Sequence, residues 1–260
     1  MELIVLAGGD YQQYEDLLFQ RDQLDKEAVL YEMAYRREFG ELELKGYELR
    51  VDCIGLKKSI AYCQKMLNRG ETIDEDKMKA SVEMQMKAYR QQIAEMIRAN
   101  KESESKGKVS AYQAREIKKI YRRIAKLIHP DINPLTKDDA DLRDLFQRAI
   151  TAYRCNSLKE LRETEVLINR YLKEQGFERI ETSIPNIEEK IRELEEEIAG
   201  ILSTEPYTYK DLLDDEEQVE AIKKRLRAEV AEYEDYKQRL SKALETMLEG
   251  GEVDWQSIMK

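Results

Sequence analysis

The 260-residue sequence contains only one histidine, three cysteines and four prolines, so it is poor in the residues that commonly form metal sites and disulfides. With His129 alone, a metal site built from several imidazoles cannot form within one chain. Cys53, Cys63 and Cys155 form no C-x-x-C pair and leave an odd count, so neither a disulfide framework nor a zinc site is indicated. Phosphate-binding glycine loops and the His-Glu-x-x-His and Gly-x-Ser-x-Gly motifs are also missing. We therefore expect no enzyme activity, no catalytic residue, no metal and no cofactor.

Long apolar runs are missing as well. The apolar segment within residues 1–9 is too short for a membrane span and lacks the positive flank of a signal peptide. We therefore expect a cytoplasmic protein that does not bind a membrane, in a reducing compartment that suits unpaired cysteines. The pattern does not choose between a short strand and a hydrophobic tether for residues 1–9.

The chain has fewer basic than acidic residues, with 44 Lys and Arg and 54 Asp and Glu, and its formal net charge is −10. Phosphate binding needs a local excess of cations, so we expect no nucleic acid as a partner of the whole molecule. The 38% of charged residues, together with few prolines and eleven glycines, is typical of a mostly helical chain. The predicted fold class is all-α.

The spacing of apolar residues divides the chain into helical segments. Within residues 1–100 it predicts a long helical hairpin that turns near Gly40, followed by a third helix. Residues 101–109 are polar and without period, and they predict a flexible linker. Residues 110–176 form a separate patterned module, 177–185 a connector, and 186–249 a predicted antiparallel coiled coil.

The patterned module opens with Ser110 as a candidate helix N-cap. The helix that follows carries an apolar face from Ile117 to Ile128 and a second face rich in cations. Six cations stand there against the single acid Glu116, in a chain whose net charge has the opposite sign. The six cations are Arg115, Lys118, Lys119, Arg122, Arg123 and Lys126. Spacings of three and four residues place Arg115, Lys118, Arg122 and Lys126 on one side of the helix, so their charges add into one directed field.

The tripeptide His129-Pro130-Asp131 follows this helix directly. Pro130 disfavours helical backbone at His129, so we expect the helix to end there and the tripeptide to lie in an exposed loop. Asp138 or Asp139 can cap the next helix, whose apolar spacing matches that of the first. The two helices are therefore predicted to pack as an antiparallel pair with the loop at the tip. For His129, recognition of a partner, a general base and a loop residue without special role are the three interpretations.

Residues 115–134 resemble helix II and the signature loop of a J domain, as in DnaJ-type co-chaperones, and residues 146–153 resemble its helix III. The resemblance covers about residues 110–161. It implies that the loop and the basic face dock on a DnaK-type heat-shock chaperone and stimulate its ATP hydrolysis. The implied partner-binding residues are His129, Pro130, Asp131, Lys118, Lys119, Arg122, Arg123 and Lys126.

The sequence departs from the family's pattern before and after this module. The short helix I of the family is replaced by the polar residues 102–107, so either the preceding helix substitutes for it or the domain is incomplete. The glycine-phenylalanine linker and the cysteine-rich zinc repeats are also absent. The predicted architecture is a J-domain-like hairpin set between long coiled-coil hairpins, which would bind a client protein or self-associate. The alternative is a structural or adaptor coiled-coil protein that keeps a J fold without chaperone coupling.

Overall fold

The computed structural model describes residues 9–105, 109–175, 186–251 and residue 253. These residues form helices and no strand, so the all-α prediction is confirmed for them. The helices are α1 (Gly9–Leu67), α2 (Glu75–Ser105), α3 (Ala111–Ile128), α4 (Pro134–Asp138), α5 (Ala140–Arg154), α6 (Leu158–Glu174), α7 (Ile187–Ser203), α8 (Tyr209–Leu213) and α9 (Glu216–Leu248).

α1 is one continuous helix of 59 residues, and the prediction of a hairpin that turns near Gly40 is wrong. Gly40 lies inside the helix, where the absence of a side chain allows Asn100 of α2 to approach the backbone closely. A Cβ at this position would meet the side chain of Asn100 at 2.5 Å, and the Asn100 side chain donates a hydrogen bond of 2.8 Å to the Gly40 carbonyl. A single glycine within a helical pattern weakens the helix without ending it.

The described residues pack as two compact units, each drawn from separated parts of the chain. The first unit comprises the described residues of 1–33 and 106–211, and the second those of 34–105 and 212–260. The units therefore do not follow the sequential division predicted from the sequence. α1 contributes to both of them.

The core of the first unit is built from α3, α5 and α6, which pack against one another. Tyr121 of α3 stacks on Tyr153 of α5 with ring centroids 4.0 Å apart, and His129 meets Phe146 closer to the connection between the helices. This order of contacts is that of the predicted antiparallel pair. The third helix of the core is α6, which follows α5 in sequence, whereas α2 belongs to the second unit.

Helix caps in this unit follow the sequence closely. Ser110 and Gln113 form a reciprocal capping box at the start of α3, as the N-cap prediction for Ser110 required. Asp139 caps α5 through the N–H of Leu142 at 3.0 Å, which decides between the two predicted aspartates. Ser157 caps α6. These caps fix where each helix begins and therefore where the connections between them lie.

α7 and α9 bury their apolar faces in different units, so the prediction that they pair as an antiparallel coiled coil is wrong. α7 packs beside Tyr14 and Leu18 of α1 in the first unit. α9 packs on residues 34–67 of α1 and on α2 in the second unit, whose core centres on Cys53, Ile60, Cys63, Met78, Leu240, Ala243 and Met247. The spacing of apolar positions predicted both helices correctly, but it does not indicate which other helix each apolar face packs against.

α2 also extends five residues into the predicted linker, because it remains helical to Ser105. The guanidinium of Arg37 donates to the carbonyl of Ser103 at 2.8 Å, which ties this end to α1 within the second unit. The predictions for residues 1–8 and for the connector 177–185 lie outside the described residues. Among the helices that the structure describes, none is long and apolar enough to cross a membrane.

Candidate functional site

The His-Pro-Asp turn begins where α3 ends, at Ile128. His129 has extended backbone, with φ −62° and ψ 126°, as expected for a residue before proline. Its carbonyl accepts the N–H of Asn133 at 2.7 Å, and the side-chain amide of Asn133 donates to the carbonyl of Leu127 at 2.9 Å. These bonds hold the turn against the last residues of α3. The tripeptide is therefore a defined structural element.

The imidazole of His129 is only 2% exposed, so the prediction that it lies free in an exposed loop is wrong. One face of the ring meets Phe146 of α5 at a centroid distance of 4.8 Å, and α1 lies over the turn. An isolated pair of helices would leave the turn exposed, but α1 adds a layer that buries the imidazole. Pro130 is half-buried, and the side chain of Asp131 is 34% exposed to solvent.

Both ring nitrogens of His129 have polar neighbours. The backbone N–H of Asp131 donates to Nδ1 at 3.1 Å, and a guanidinium nitrogen of Arg21 lies 3.4 Å from Nε2. Nε2 lies 3.8 Å from Oδ2 of Asp22 on α1. Burial lowers the pKa of His129, and the carboxylates of Asp22 and Asp131 raise it without reversing that direction. The ring is therefore neutral at pH 7.

Residues 14–25 of α1, which we call the cover, lie over this turn. Arg21 and Asp22 are joined at 3.0 Å and reach different parts of it. The Arg21 guanidinium lies 3.9 Å from the carboxylate of Asp131, while Asp22 accepts a hydrogen bond of 2.6 Å from the hydroxyl of Tyr121. Burial and the Asp22 carboxylate raise the pKa of Tyr121, so this hydroxyl stays protonated and donates.

An apolar cluster closes the other side of the turn. Ile132, the residue after the tripeptide, is buried against Tyr14 and Leu18 of the cover and against Ile191 and Leu194 of α7. The turn is thus enclosed by two helices that the J-domain resemblance does not include. Packing of this kind excludes water from the imidazole.

The basic face of α3 is open by comparison. Its six predicted cations line a shallow depression of about 400 Å³. Lys118 is half-buried and the other five are exposed. The structure therefore brings together on one face the five cations predicted to bind a partner, with Arg115 beside them; the five are Lys118, Lys119, Arg122, Arg123 and Lys126.

Part of this face is already engaged within the first unit. Three cations contact the cover: Lys126 with Glu15 at 2.7 Å, Arg122 over the ring of Phe19 at 5.2 Å, and Lys118 with the amide of Gln23. Arg123 makes a bidentate pair with Glu165 of α6, at 2.8 and 3.0 Å. The basic face is thus shared between contacts inside the chain and solvent.

A scan against protein-family models, a search of curated proteins and a search of solved structures each found nothing. Among the residues that the structure describes, no cluster of three His, Cys, Asp or Glu side chains is placed to hold a metal ion.

Sequence reasoning missed the cover entirely. A signal was present, because Glu15, Asp22 and Asp25 recur at spacings of seven and three residues and so lie on one acidic side of α1. This side has the opposite sign to the basic face of α3, and the third acid also pairs with Arg154 of α5 at 2.6 Å. A comparison of charged faces between distant helices would have suggested the contact.

Lys26, just after the cover, is a second residue that the sequence did not single out. Its ammonium group lies 4.2 Å from the ring centroid of Tyr153 and the residue is buried. Burial, followed by the charge of Lys118, lowers the pKa of Lys26 to about 8. The cation–π contact partly offsets the loss of hydration.

Proposed function

We propose that this chain is a J-domain-like co-chaperone that docks on a DnaK-type heat-shock chaperone and stimulates its ATP hydrolysis. The observation that carries the proposal is the arrangement of α3 and α5. They pack antiparallel, with an intact His-Pro-Asp turn at their connection and six cations along the adjoining face of α3. The ATPase belongs to the partner, and the chain contributes recognition.

The basic face supports docking through long-range charge. Cations on one side of a helix attract an acidic surface and increase the rate of encounter, and such attraction weakens as salt rises. Lys119 and Arg115 are exposed and available for this first contact. Asp131, which keeps part of its side chain in solvent, offers a carboxylate that can pair with a partner's cation.

The second candidate function is an adaptor that keeps the J fold without chaperone coupling. The buried imidazole favours it, because a partner cannot touch His129 while the cover is in place. In that case the His-Pro-Asp turn would serve only to join α1, α3 and α7. The two candidates differ in one respect, which is whether the turn ever becomes accessible.

Both candidate functions imply the same cellular location and the same role for the second unit. The cysteines at 53, 63 and 155 are free thiols, which agrees with the expected cytoplasmic location. The helices of the second unit would bind a client protein or a second copy of the chain.

A single-turnover ATPase assay with a DnaK-type chaperone tests the proposal. We expect the full chain to accelerate hydrolysis and Asp131→Asn to abolish this stimulation, because the substitution removes the charge of the turn. The matched control is Asp138→Asn, an exposed aspartate outside the turn that should leave stimulation unchanged. Equal helicity and melting temperature among the three proteins would show that folding is unaffected. Stimulation that Asp131→Asn leaves unchanged would contradict the role assigned to the turn, and no stimulation by the wild type would favour the adaptor.

A further inference from the structure

The cover contacts each part of the surface that the proposed function assigns to the partner. Over the turn, Arg21 faces Asp131 and Asp22 faces His129. Along α3, Glu15 pairs with Lys126. The same twelve-residue segment of one helix therefore occupies both the specificity element and one edge of the basic face.

The chemistry of the cover imitates that of an acidic partner. Glu15 and Asp22 present carboxylates to the cations and hydroxyls of α3, and Phe19 lies beneath the guanidinium of Arg122. A partner with an acidic surface would need the same cations. The cover and that partner therefore cannot both hold Lys126, and Asp131 cannot pair at the same time with Arg21 and with a cation of the partner.

We propose that residues 14–25 of α1 are an autoinhibitory cover, which an acidic polypeptide surface displaces from the His-Pro-Asp turn. This inference rests on the proposed function, since it states how the same site is regulated. The first contact is made on the open part of the basic face, at Lys119 and Arg115. Competition for Lys126 then releases Glu15, and the turn is exposed as the cover leaves.

The contacts at the edge of the cover are weak enough to allow it to open and close reversibly over the turn. Lys126 is 61% exposed and Arg21 keeps 21% of its side-chain exposure, so solvent and salt reach both ion pairs. The deeper contacts are the Tyr121–Asp22 hydrogen bond and the packing of Leu18 on Ile132. An edge of weak ion pairs around a firmer centre allows opening to start from the side where a partner arrives.

The test compares two charge reversals one residue apart. Glu15→Lys places a cation against Lys126 and should loosen the cover, whereas Asp16→Lys makes the same change of net charge at an exposed position. Arg21→Gln is a second, independent variant that removes the contact with Asp131 if the first does not fold. Melting and helicity are measured for all of them.

The first readout needs no chaperone. We expect hydrogen exchange of the backbone amides of residues 129 and 131–133 to be about tenfold faster in Glu15→Lys than in Asp16→Lys. NMR of the single histidine provides an independent signal, because exposure of the ring shifts its pKa upward toward the ordinary value. Unchanged exchange in both Glu15→Lys and Arg21→Gln would overturn the cover as an element that opens.

The second readout is stimulation of a DnaK-type chaperone. Glu15→Lys should reach half-maximal stimulation at about tenfold lower concentration than wild type and Asp16→Lys, because the closed state no longer reduces apparent affinity. Faster exchange with stimulation equal to wild type would overturn autoinhibition while leaving the proposed function in place. Faster exchange with no stimulation by any variant would overturn the proposed function itself.

Discussion

Tyr121 and Asp22 are joined by a hydrogen bond of 2.6 Å between two side chains that are both buried. The hydroxyl comes from α3 and the carboxylate from the cover, so this bond ties the two at the centre of their contact. Tyr121 also stacks on Tyr153, which fixes the ring in position. The bond therefore links the core of the first unit to the element that encloses the turn.

Removing the Tyr121 hydroxyl should destabilise the first unit. Tyr121→Phe keeps the stacked ring but leaves the buried Asp22 carboxylate without one donor, which costs about 1–3 kcal/mol. Chemical denaturation followed by circular dichroism measures the change. The matched control is Tyr112→Phe, because Tyr112 is 64% exposed and its hydroxyl is not part of this contact. An equal effect of the two substitutions would contradict the importance assigned to this bond.

The enclosure of His129 should weaken as pH falls. Burial lowers the pKa of His129 in the folded chain below the unfolded value of about 6.5, so the folded state binds fewer protons between these two values. The resulting stability is present above about pH 6.5 and is lost as pH falls through the folded pKa. The charged groups that act on the ring are Arg21 and Asp22 from the cover, together with Asp131 and Lys137, and the ring of Phe146 from α5 packs against it.

An NMR titration of the single imidazole measures this pKa directly. We expect a value below 6.5, and a further decrease in Asp22→Asn, because the substitution removes a carboxylate that favours the charged ring. His129→Gln should remove the stability change in this pH window while carboxylate titration at lower pH remains. An imidazole pKa at or above the ordinary value would contradict the buried environment.

Asp139 should contribute more to the free energy of unfolding than a residue that only caps a helix. One carboxylate oxygen accepts the N–H of Leu142 at 3.0 Å, and the other accepts the hydroxyl of Tyr171 on α6 at 2.8 Å. Desolvation raises the pKa of Asp139, but these hydrogen bonds outweigh it and lower the pKa overall. Asp139→Ala should cost about 1–2 kcal/mol at neutral pH.

The pH dependence and a neighbouring aspartate provide the controls for Asp139. Because the folded pKa is lowered, this contribution is present above the unfolded value and is lost as pH falls through the folded value. Asp138→Ala, at the exposed preceding aspartate, should change the free energy of unfolding by less than about 0.5 kcal/mol. A larger effect at 138 than at 139 would show that the cap is assigned to the wrong residue.

The sequence predicted what depends on local pattern and failed where distant segments meet. Ser110, Pro130 and Asp139 act within a few residues of themselves, and the start of α3, its end and the start of α5 were placed correctly. The cover depends on Asp22 and His129, which lie 107 residues apart in the numbering, and no local spacing brings them together. The exposure of the turn was therefore predicted wrongly, although its residues were identified.

The two central glycines of α1 illustrate the same limit within one helix. A glycine at 40 or at 46 has the same local meaning, which is a weak point in a helical pattern. Their surroundings separate them, because a Cβ at Gly46 would have Val230 at an ordinary 3.8 Å, whereas one at Gly40 would lie 2.5 Å from the side chain of Asn100. Only the tertiary packing of the second unit distinguishes a replaceable glycine from a required one.

Alanine substitutions at these two positions should therefore change stability in opposite directions. Gly46→Ala should stabilise the chain by about 0.5–1 kcal/mol, since alanine favours the helix and its methyl group meets no clash. Gly40→Ala gains the same propensity, but it displaces the Asn100 amide and breaks the 2.8 Å hydrogen bond to the carbonyl of residue 40. We expect a net loss of about 1 kcal/mol there, because a broken bond and the rearranged side chain outweigh the gain.

Chemical denaturation of the two variants beside wild type measures this difference. The double variant Gly40→Ala with Asn100→Ala supplies the control, because truncating residue 100 removes the clash and should recover most of the propensity gain. A break or hairpin at residue 40 would instead make Gly40→Ala harmful whatever stands at residue 100. Recovery in the double variant thus tests the continuity of α1 through Gly40.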